Sequence, residues 1–311
     1  MNSFKIESVD SNRRDELEQL GAKFKFWYRT EDNEGMLFKA EERGTGEDWA
    51  EKVCSELASF LGLPHVEYDL AQDLAFEPPT RGVVCRTCAP APWSLVHGNE
   101  LLLARDPGYP AYPADKEKYK VSQHTVSAVR NILARLALPP DIWCHELPIG
   151  IESAADVFTG YVMFDAWVAN QDRHHQNWGA LRKEDELCLA PSFDHGAALA
   201  RNLSDNERNQ RLHSADSGFT VTAFANRARS AFYADINAAR PLATHAAWEN
   251  FAIHTPKAAS IWKARLSGIE FAQIQSMLDR VPTSRMSAIS REFTAKLLSS
   301  NLKRILEGVS P

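Results

Sequence analysis

The sequence lacks the features of a secreted or membrane-spanning protein. Its 311 residues include only five cysteines, an odd number that suits a reducing compartment better than a disulfide scaffold. The N-terminal stretch MNSFKIESVDSNRRDELEQL carries charges of both signs and has no apolar core, unlike a signal peptide. No later apolar run is long enough to span a membrane. We therefore expect a cytoplasmic protein with no membrane partner.

The sequence also lacks an excess of positive charge. The formal net charge is −6 at pH 7, whereas sequence-independent nucleic-acid binding requires a basic surface, so we expect no direct nucleic-acid binding. With 24% charged and 44% hydrophobic residues, the composition is that of an ordinary globular protein. The length allows one large domain or two lobes.

Cys85 and Cys88 form a CxxC motif that has no obvious use. A structural zinc site needs a second pair of Cys or His ligands at similar spacing, and none follows cleanly. A redox pair is expected at the start of a helix, whereas this pair ends the apolar run GVVCRTC, which is typical of a strand. The motif therefore predicts two buried strand cysteines.

The N-terminal part has the pattern of a small α+β unit. Residues 21–41 alternate basic, aromatic and apolar residues around DNEG at 32–35, which predicts a hairpin. The segment GTGEDWAEKVCSELASFLGLP has apolar residues at helical spacing and predicts a helix that stops at Gly62 and Pro64. VEYDLA and GVVCRT predict two more strands.

The pattern changes near residue 93. The stretch PAPWSLVHGNELLLARDPGYPAYPADKEKY is rich in proline and tyrosine and predicts an irregular connector. Three helical patterns follow: HTVSAVRNILARLAL, ESAADVFTGYVMFDAWVANQ and ISREFTAKLLSSNLKRILEGV. We therefore predict an α+β fold, with a small β-rich N-lobe over residues 1–92 and a larger helical C-lobe over residues 93–311.

Two polar segments carry the candidate chemistry: NQDRHHQNWG at 170–179 and LAPSFDHG at 189–196. The first begins where an almost entirely apolar helix ends, so it lies at the edge of the core. Asn177 follows Asp172 by five residues, and Asp194 comes after a short predicted hairpin. Phosphoryl transfer needs a carboxylate base and oxygen ligands for magnesium, and the Asp–Asn spacing is that of a protein-kinase catalytic loop. The pattern predicts Asp172 as base, with Asn177 and Asp194 holding Mg²⁺.

These residue types also have ordinary structural roles. An isolated Asp often caps a helix, but here three matching roles are filled together. His174 and His175 suggest a metal site, yet adjacent histidines on a turn point in different directions. We interpret Arg173 as a loop organiser, and His195 could simply be a turn residue.

The two segments resemble the catalytic and metal-binding motifs of HipA-type serine/threonine kinases, the toxins of bacterial toxin–antitoxin modules. Upstream, Gly21, Ala22 and Lys23 precede a strand and resemble the family's nucleotide loop. LFK at 37–39 resembles its lysine-bearing strand, and EKVCSELASFLGL at 51–63 its lysine-pairing helix. The resemblance implies a two-lobed, protein-kinase-like fold with ATP and Mg²⁺ as cofactors, bound in the cleft beside a hinge near residues 88–95.

The resemblance also implies residue roles. Gly21, Ala22 and Lys23 would bind the nucleotide, and Lys39 would contact its α- and β-phosphates. His174 belongs with this nucleotide site as the residue that holds the catalytic loop.

Lys39 would also pair with a glutamate of the following helix. Glu51 is the partner that the resemblance implies. Glu51 and Glu56 flank the apolar face of that helix about equally, so the residues themselves leave both open.

The activity that the resemblance implies is transfer of the γ-phosphoryl group to a Ser or Thr of a protein substrate. An antitoxin or small regulatory partner is a further expectation. Two alternatives stay open: a phosphotransferase acting on a lipid or small molecule, and a non-catalytic nucleotide-binding pseudokinase. Several family members phosphorylate a serine just before the loop glycine, where this chain has Glu18, Gln19 and Leu20. We therefore expect no self-inhibition by that route.

Overall fold

The structure, a computed structural model, describes residues 2–17, 24–41, 44–114, 117 and 120–308. The strands are β1 Ile6–Val9, β2 Glu16–Leu17, β3 Lys25–Arg29, β4 Gly35–Ala40, β5 Tyr68–Asp73, β6 Thr80–Arg86, β7 Ser94–His97, β8 Gly179–Lys183 and β9 Glu186–Leu189. The helices are α1 Glu47–Leu61, α2 Gly98–Arg105, α3 Val126–Leu133, α4 Ala154–Val168, α5 Asp205–Leu212, α6 Val221–Arg227, α7 Thr244–Ala252, α8 Pro256–Ser267, α9 Phe271–Asp279 and α10 Ala288–Glu307. A strand-rich N-terminal part thus precedes a helical part, and the predicted α+β fold is confirmed.

A six-stranded sheet in the order β1-β5-β6-β4-β3-β2 forms the N-terminal part. β1 runs parallel to β5, and the other neighbours are antiparallel. The predicted hairpin is β3 and β4, with Phe26 opposite Phe38. β5 and β6 cover most of the other two predicted strands. Both edge strands come from residues 6–17, where the sequence pattern predicted none.

The side chains of β4 alternate between the two faces of this sheet. Phe38 packs with Phe26 and Val84 in an apolar cluster on one face. Because successive strand residues point to opposite faces, Leu37 and Lys39 point to the other face, where α1 packs. This alternation places Lys39 on the face of the sheet that contacts α1, next to the first two turns of that helix.

The predicted helix of the N-terminal part is α1. Its stripe of Trp49, Val53, Leu57 and Leu61 is at most 2% exposed, and burying each such side chain stabilises the fold by about 1.5–3 kcal/mol. The helix ends as predicted at Gly62, whose φ of 71° lies in the left-handed region that glycine adopts without strain.

The predicted irregular connector is wrong in its first half, because residues 94–105 form β7 and α2. β7 joins β8 and β9 in a second, three-stranded sheet. The pairing partners of β7 lie about 85 residues further along the chain, so no local pattern could indicate this strand. The lobe boundary at residue 92 stays a prediction, although the six-stranded sheet and α1 lie before it.

α4 is the centre of the helical part. Its large side chains are no more than 1% exposed: Val157, Phe158, Tyr161, Val162, Phe164, Trp167 and Val168. α7, α8 and α10 pack around it. The predicted C-terminal helix is α10, and Phe293, Leu297 and Leu298 on its apolar stripe are fully buried.

The cysteine prediction holds for Cys85 and is wrong for Cys88. Cys85 is buried on β6, whereas Cys88 lies beyond the strand and is half-buried. β6 ends at Arg86, and in the turn that follows the backbone N–H of Ala89 donates to Thr87 Oγ1 at 3.1 Å. Within the described parts of the chain, no helix combines the length and apolarity that a membrane span requires.

Candidate active site

The first polar segment starts where α4 ends. Ala169 has a φ of 54°, which stops the helix, and the loop 170–178 leads from there to β8. Because α4 is enclosed by other helices, this loop begins at a rigid point of the core.

Arg173 attaches the loop to α4. Its guanidinium forms a two-point ion pair with Asp165 of α4, with Nε–Oδ2 and Nη2–Oδ1 distances of 2.5 and 2.8 Å. Nη2 also donates to Ser192 Oγ at 2.9 Å, and Nη1 to the backbone carbonyl of Asn177 at 3.3 Å. Arg173 therefore joins α4 to both polar segments, as expected of a loop organiser.

Asp172 and Asn177 are held next to each other within this loop. The Asn177 amide nitrogen donates to the backbone carbonyl of Asp172 at 2.8 Å. The backbone N–H of Asp172 in turn donates to Asn170 Oδ1 at 3.1 Å. The Asp172 side chain is 21% exposed, so part of its carboxylate is accessible.

His174 and His175 have different partners, although their rings meet edge to face with centroids 6.1 Å apart. His174 Nδ1 accepts from the backbone N–H of Gln176 at 3.1 Å, and His174 Nε2 lies 3.4 Å from Asp172 Oδ1. His175 Nδ1 instead contacts the Tyr109 hydroxyl at 2.7 Å. His174 thus contacts other residues of the loop 170–178, and both rings are buried.

The expected pair of Lys39 and Glu51 is present, and it includes a third member. Lys39 Nζ lies 2.8 Å from Glu51 Oε1 and 2.9 Å from Asp194 Oδ1. Glu56 is directed elsewhere and pairs with Lys52 at 2.7 Å. Of the two glutamates that the sequence left open, Glu51 is therefore the partner of Lys39.

The electrostatics of this triad keep the lysine charged. Burial alone lowers the pKa of Lys39, but the carboxylates of Asp194 and Glu51 outweigh it and hold the pKa well above its ordinary value. Burial raises the pKa of Glu51 above its ordinary value, and Lys39 only partly offsets it. A buried charge without a partner here would cost several kcal/mol, so the three groups depend on one another.

The backbone around Asp194 is shaped for this contact. Asp194 has a φ of 60°, a left-handed conformation that costs a non-glycine residue about 1 kcal/mol or more. The next backbone N–H, of His195, donates to Glu51 Oε2 at 2.8 Å. At Gly196 a Cβ atom would lie 3.3 Å from Glu51 Oε1, so a glycine leaves room for the glutamate. Glu51 therefore binds a lysine of the sheet and the backbone of the second polar segment together.

His195 is a buried framework residue and not a simple turn residue. Its Nε2 lies 2.8 Å from Ser192 Oγ and 3.2 Å from Arg173 Nη2. Burial and the nearby guanidinium hold the pKa of His195 well below its ordinary value, so the ring is neutral. Sequence reasoning missed its role, together with those of Asp165 and Ser192. The one available signal was Asp165 itself, an acid near the end of a helix that is apolar over most of its length.

The side-chain oxygens of Asn177 and Asp194 are of the kind that binds a magnesium ion. Mg²⁺ prefers oxygen ligands and is usually bound by one or two carboxylates together with substrate phosphates. Because the Asn177 nitrogen is engaged with the Asp172 carbonyl, Oδ1 of the same amide points away from it. The Asp194 carboxylate, 29% exposed, is the second candidate ligand. Among the described residues no group of three or more His, Cys, Asp or Glu side chains could hold a metal, so phosphates and water would complete the shell.

The structure thus brings together Lys39, Glu51 and Asp194, and separately Asp172, His174 and Asn177. Gly21, Ala22 and Lys23 of the expected nucleotide loop lie outside the described residues.

Solved kinase structures have the same fold. The proinflammatory kinase CtkA of Helicobacter pylori superposes with a TM-score of 0.71 over 97% of this chain and 96% of that chain, at 18% sequence identity. HipA of Shewanella oneidensis MR-1, in a complex with HipB and operator DNA, gives a TM-score of 0.54 at 13% identity. That match covers 96% of this chain and 66% of the HipA chain. Neither a protein-family model nor a curated protein sequence matches.

The fold is therefore a HipA-like kinase fold, and the predicted resemblance is confirmed at the level of structure. The small sheet with α1 corresponds to the predicted N-lobe, and the helical part to the predicted C-lobe. At these identities the likeness concerns the fold, and the chemistry of the site is argued from its own residues.

Proposed function

We propose that the protein is an ATP- and Mg²⁺-dependent kinase that transfers the γ-phosphoryl group to a Ser or Thr hydroxyl of a protein. The observation that carries this proposal is the contact of Lys39 Nζ with both Glu51 and Asp194, at 2.8 and 2.9 Å. A permanently charged lysine between the sheet and a candidate metal ligand is the arrangement that phosphoryl transfer requires.

In the proposed site Lys39 binds the α- and β-phosphates, and Glu51 orients its ammonium group. Asn177 and Asp194 hold Mg²⁺, which neutralises negative charge on the phosphates when bound. Gly21, Ala22 and Lys23 stay predictions for the nucleotide loop.

Asp172 is the proposed base. The acceptor hydroxyl oxygen forms a bond to the γ-phosphorus while the bond from phosphorus to the β–γ bridging oxygen breaks, so ADP leaves. The hydroxyl proton passes to the Asp172 carboxylate and then to solvent. The contacts of Asp172 with His174 and, through its backbone, with Asn170 and Asn177 hold it in place, which supplies the orientation that such catalysis needs.

An apolar surface beside Lys39 suits the flat face of a purine. Leu37 on β4, Cys85 on β6 and Phe193 next to Asp194 belong to one cluster that includes Tyr68. Cys85 lies directly opposite Leu37, and Lys39 Nζ lies 5.2 Å from the Tyr68 ring centroid. A base against this cluster would have its phosphates near the lysine.

A regulatory partner fits the comparison with HipA, which was solved together with HipB and operator DNA. We propose an antitoxin-like or other small protein partner for this chain, and a role as a growth-inhibiting toxin. With a net charge of −6, we propose no direct nucleic-acid contact by the chain itself.

The test is incubation of the purified protein with γ-labelled ATP and Mg²⁺, first alone and then with a cell lysate. Label on protein bands that partial acid hydrolysis releases as phosphoserine or phosphothreonine, and that is absent when Mg²⁺ is chelated, is the expected result. Label only in lipid or small-molecule fractions would replace the protein acceptor with the first alternative. Mg²⁺-dependent ATP binding without any transfer would favour the pseudokinase alternative.

A further inference from the structure

The first two turns of α1 carry four charged residues, all of them buried: Glu47, Asp48, Glu51 and Lys52. Lys52 pairs with Glu56 and Asp69 of the N-terminal part. Each of the three acids contacts at least one residue of the helical part. Charged side chains are rarely buried without a partner, so the destinations of these acids describe how α1 is held.

Asp48 is paired with Arg285, which lies between α9 and α10. Arg285 Nη1 is 2.7 Å from Asp48 Oδ2, with the two side chains 3% and 1% exposed. Arg285 Nη2 also donates to the backbone carbonyl of Ala71 on β5 at 2.8 Å. One guanidinium from the C-terminal part therefore fixes α1 against the sheet.

Glu47 forms a second buried ion pair between α1 and the helical part, and we call each of the two a tie. Arg201, which follows the Asp194 segment, lies 2.6 Å from Glu47 Oε1 through Nη2 and donates to Thr45 Oγ1 at 2.8 Å through Nη1. Both arginines belong to the helical part, so two ion pairs join the first turn of α1 to it. Further along the helix, Glu56 lies 3.7 Å from Arg280, and the Leu61 carbonyl accepts from Arg265 Nε at 3.2 Å.

The spacing of these ties matters for Glu51. Asp48 precedes Glu51 by three residues and Glu47 precedes it by four, and side chains at those spacings are neighbours on a helix surface. Fixing Asp48 and Glu47 therefore fixes both the rotation of α1 and its displacement along its axis. Glu51 must satisfy Lys39 and the backbone N–H of His195 at 2.8 Å each, which a small rotation of the helix would break.

We infer that Arg285 is a positioning residue for the phosphoryl transfer: through its ion pair with Asp48 it holds α1 where Glu51 reaches Lys39. The inference rests on the proposed function. In protein kinases the corresponding lysine–glutamate contact is a point of control by activation-loop phosphorylation and helix position. Here buried ion pairs supply the position within the fold, with no modification required.

The test uses a pair of variants that separates position from stability. Arg285→Met leaves a buried carboxylate without its partner, so both the melting temperature and the transfer rate fall. Asp48→Leu combined with Arg285→Met replaces the pair with apolar groups of similar size, which restores stability in buried pairs of this kind. The expected result is recovery of the melting temperature while KM for ATP stays raised at least fivefold and kcat stays at least tenfold lower.

Lys52→Met is the matched control. It removes a buried charge from the same helix, one whose ion pairs stay within the N-terminal part. It lowers the melting temperature without the rise in KM. If Arg285→Met alone does not fold, the double variant still decides the question.

Hydrogen exchange at residues 47–52, measured by mass spectrometry, gives a readout that needs no activity. The double variant is expected to exchange at least tenfold faster there than wild type, and Lys52→Met less so. Recovery of wild-type exchange and kinetics along with the melting temperature would overturn the inference. Absence of transfer and nucleotide binding in the wild type would overturn the proposed function instead, while the exchange data still report on the tie.

Discussion

Two sets of polar side chains near the end of α4 differ in exposure. Asp165, Arg173 and His195 are at most 3% exposed and bond mainly to one another and to Ser192. The Asp172 and Asp194 side chains are 21% and 29% exposed. The first set holds two polar segments in register, and the second presents oxygen atoms to a ligand. Substitutions in the first set should therefore cost stability, and those in the second should cost activity.

The largest expected effect is on transfer by the exposed set. Asp172→Asn and Asp194→Asn should each lower the transfer rate by about 10²- to 10⁴-fold, the usual contribution of such groups. Asp172→Asn should retain Mg²⁺-dependent ATP binding because, of the two aspartates, only Asp194 is proposed to touch the metal. Titration with a fluorescent ATP analogue, with and without Mg²⁺, measures that difference. Near-wild-type transfer by both variants would contradict the assignment.

The next effect falls on the buried set. Arg173→Met should destabilise the fold by about 3–5 kcal/mol, because it leaves Asp165 as a buried charge without its ion-pair partner. Urea denaturation followed by circular dichroism measures this free energy of unfolding. Asp172→Asn serves as the comparison and should change it by less than about 1 kcal/mol. Equal losses in both variants would remove the distinction between the two sets.

A smaller effect concerns pH and a buried histidine near the loop. Burial lowers the pKa of His124 from 6.5 to about 3. Its Nδ1 contacts the Ala231 carbonyl at 2.9 Å and its Nε2 accepts from Trp178 Nε1 at 3.1 Å. Below pH 6.5 the unfolded chain binds a proton at His124 that the folded protein does not. The contribution of His124 to the free energy of unfolding is therefore fully present above that pH. Below it, this contribution falls by about 1.4 kcal/mol per pH unit towards pH 3.

Urea denaturation of wild type and His124→Gln at several pH values between 7.5 and 5 checks this pH effect. The variant should be less stable than wild type at pH 7.5, but its stability should fall less steeply as the pH is lowered. The difference in slope should correspond to close to one proton fewer taken up on unfolding. Parallel curves for the two proteins would contradict a neutral His124.

The smallest expected effect is at Ser11, the hydroxyl residue nearest upstream of the expected nucleotide loop. Ser11 is 4% exposed, and its backbone N–H donates to Asp73 Oδ1 at 3.0 Å. Ser11→Ala should change the transfer rate by less than about twofold. Mass spectrometry after incubation with ATP and Mg²⁺ should find no stoichiometric phosphate there. Phosphate on Ser11 with loss of activity that Ser11→Ala restores would show that control does rest on this serine.

What the sequence could predict depended on whether the signal was local. α1 and the β3–β4 hairpin were predictable because periodicity and turn residues lie within each segment. Asp172 and Asn177 were recognisable by their spacing, and Lys39 only through a family resemblance. The edge strand β1 was missed because its partner, β5, lies more than 60 residues away.

Asp165 shows the same limit within the site. In the sequence it is an acid in a mostly apolar helix, and nothing nearby indicates a partner. Only the folded chain brings Arg173, eight residues on, and Ser192 to one place. Glu51 and Glu56 were indistinguishable on a helical wheel for a related reason: the choice between them depends on what lies opposite, which is Lys39 of β4.

The attachment of the N-terminus to the distant C-terminal part has a consequence during translation. The backbone N–H of Phe4 donates to the Arg280 carbonyl at 2.7 Å, and the Arg280 guanidinium lies 4.1 Å from the Phe4 ring centroid. At synthesis rates of about 5–20 residues per second, roughly 15–55 s separate the two residues on the ribosome. Phe4 thus emerges long before its partner exists, as does Asp48 before Arg285. A nascent chain stalled before residue 280 would carry an unfinished N-lobe surface, open to chaperones.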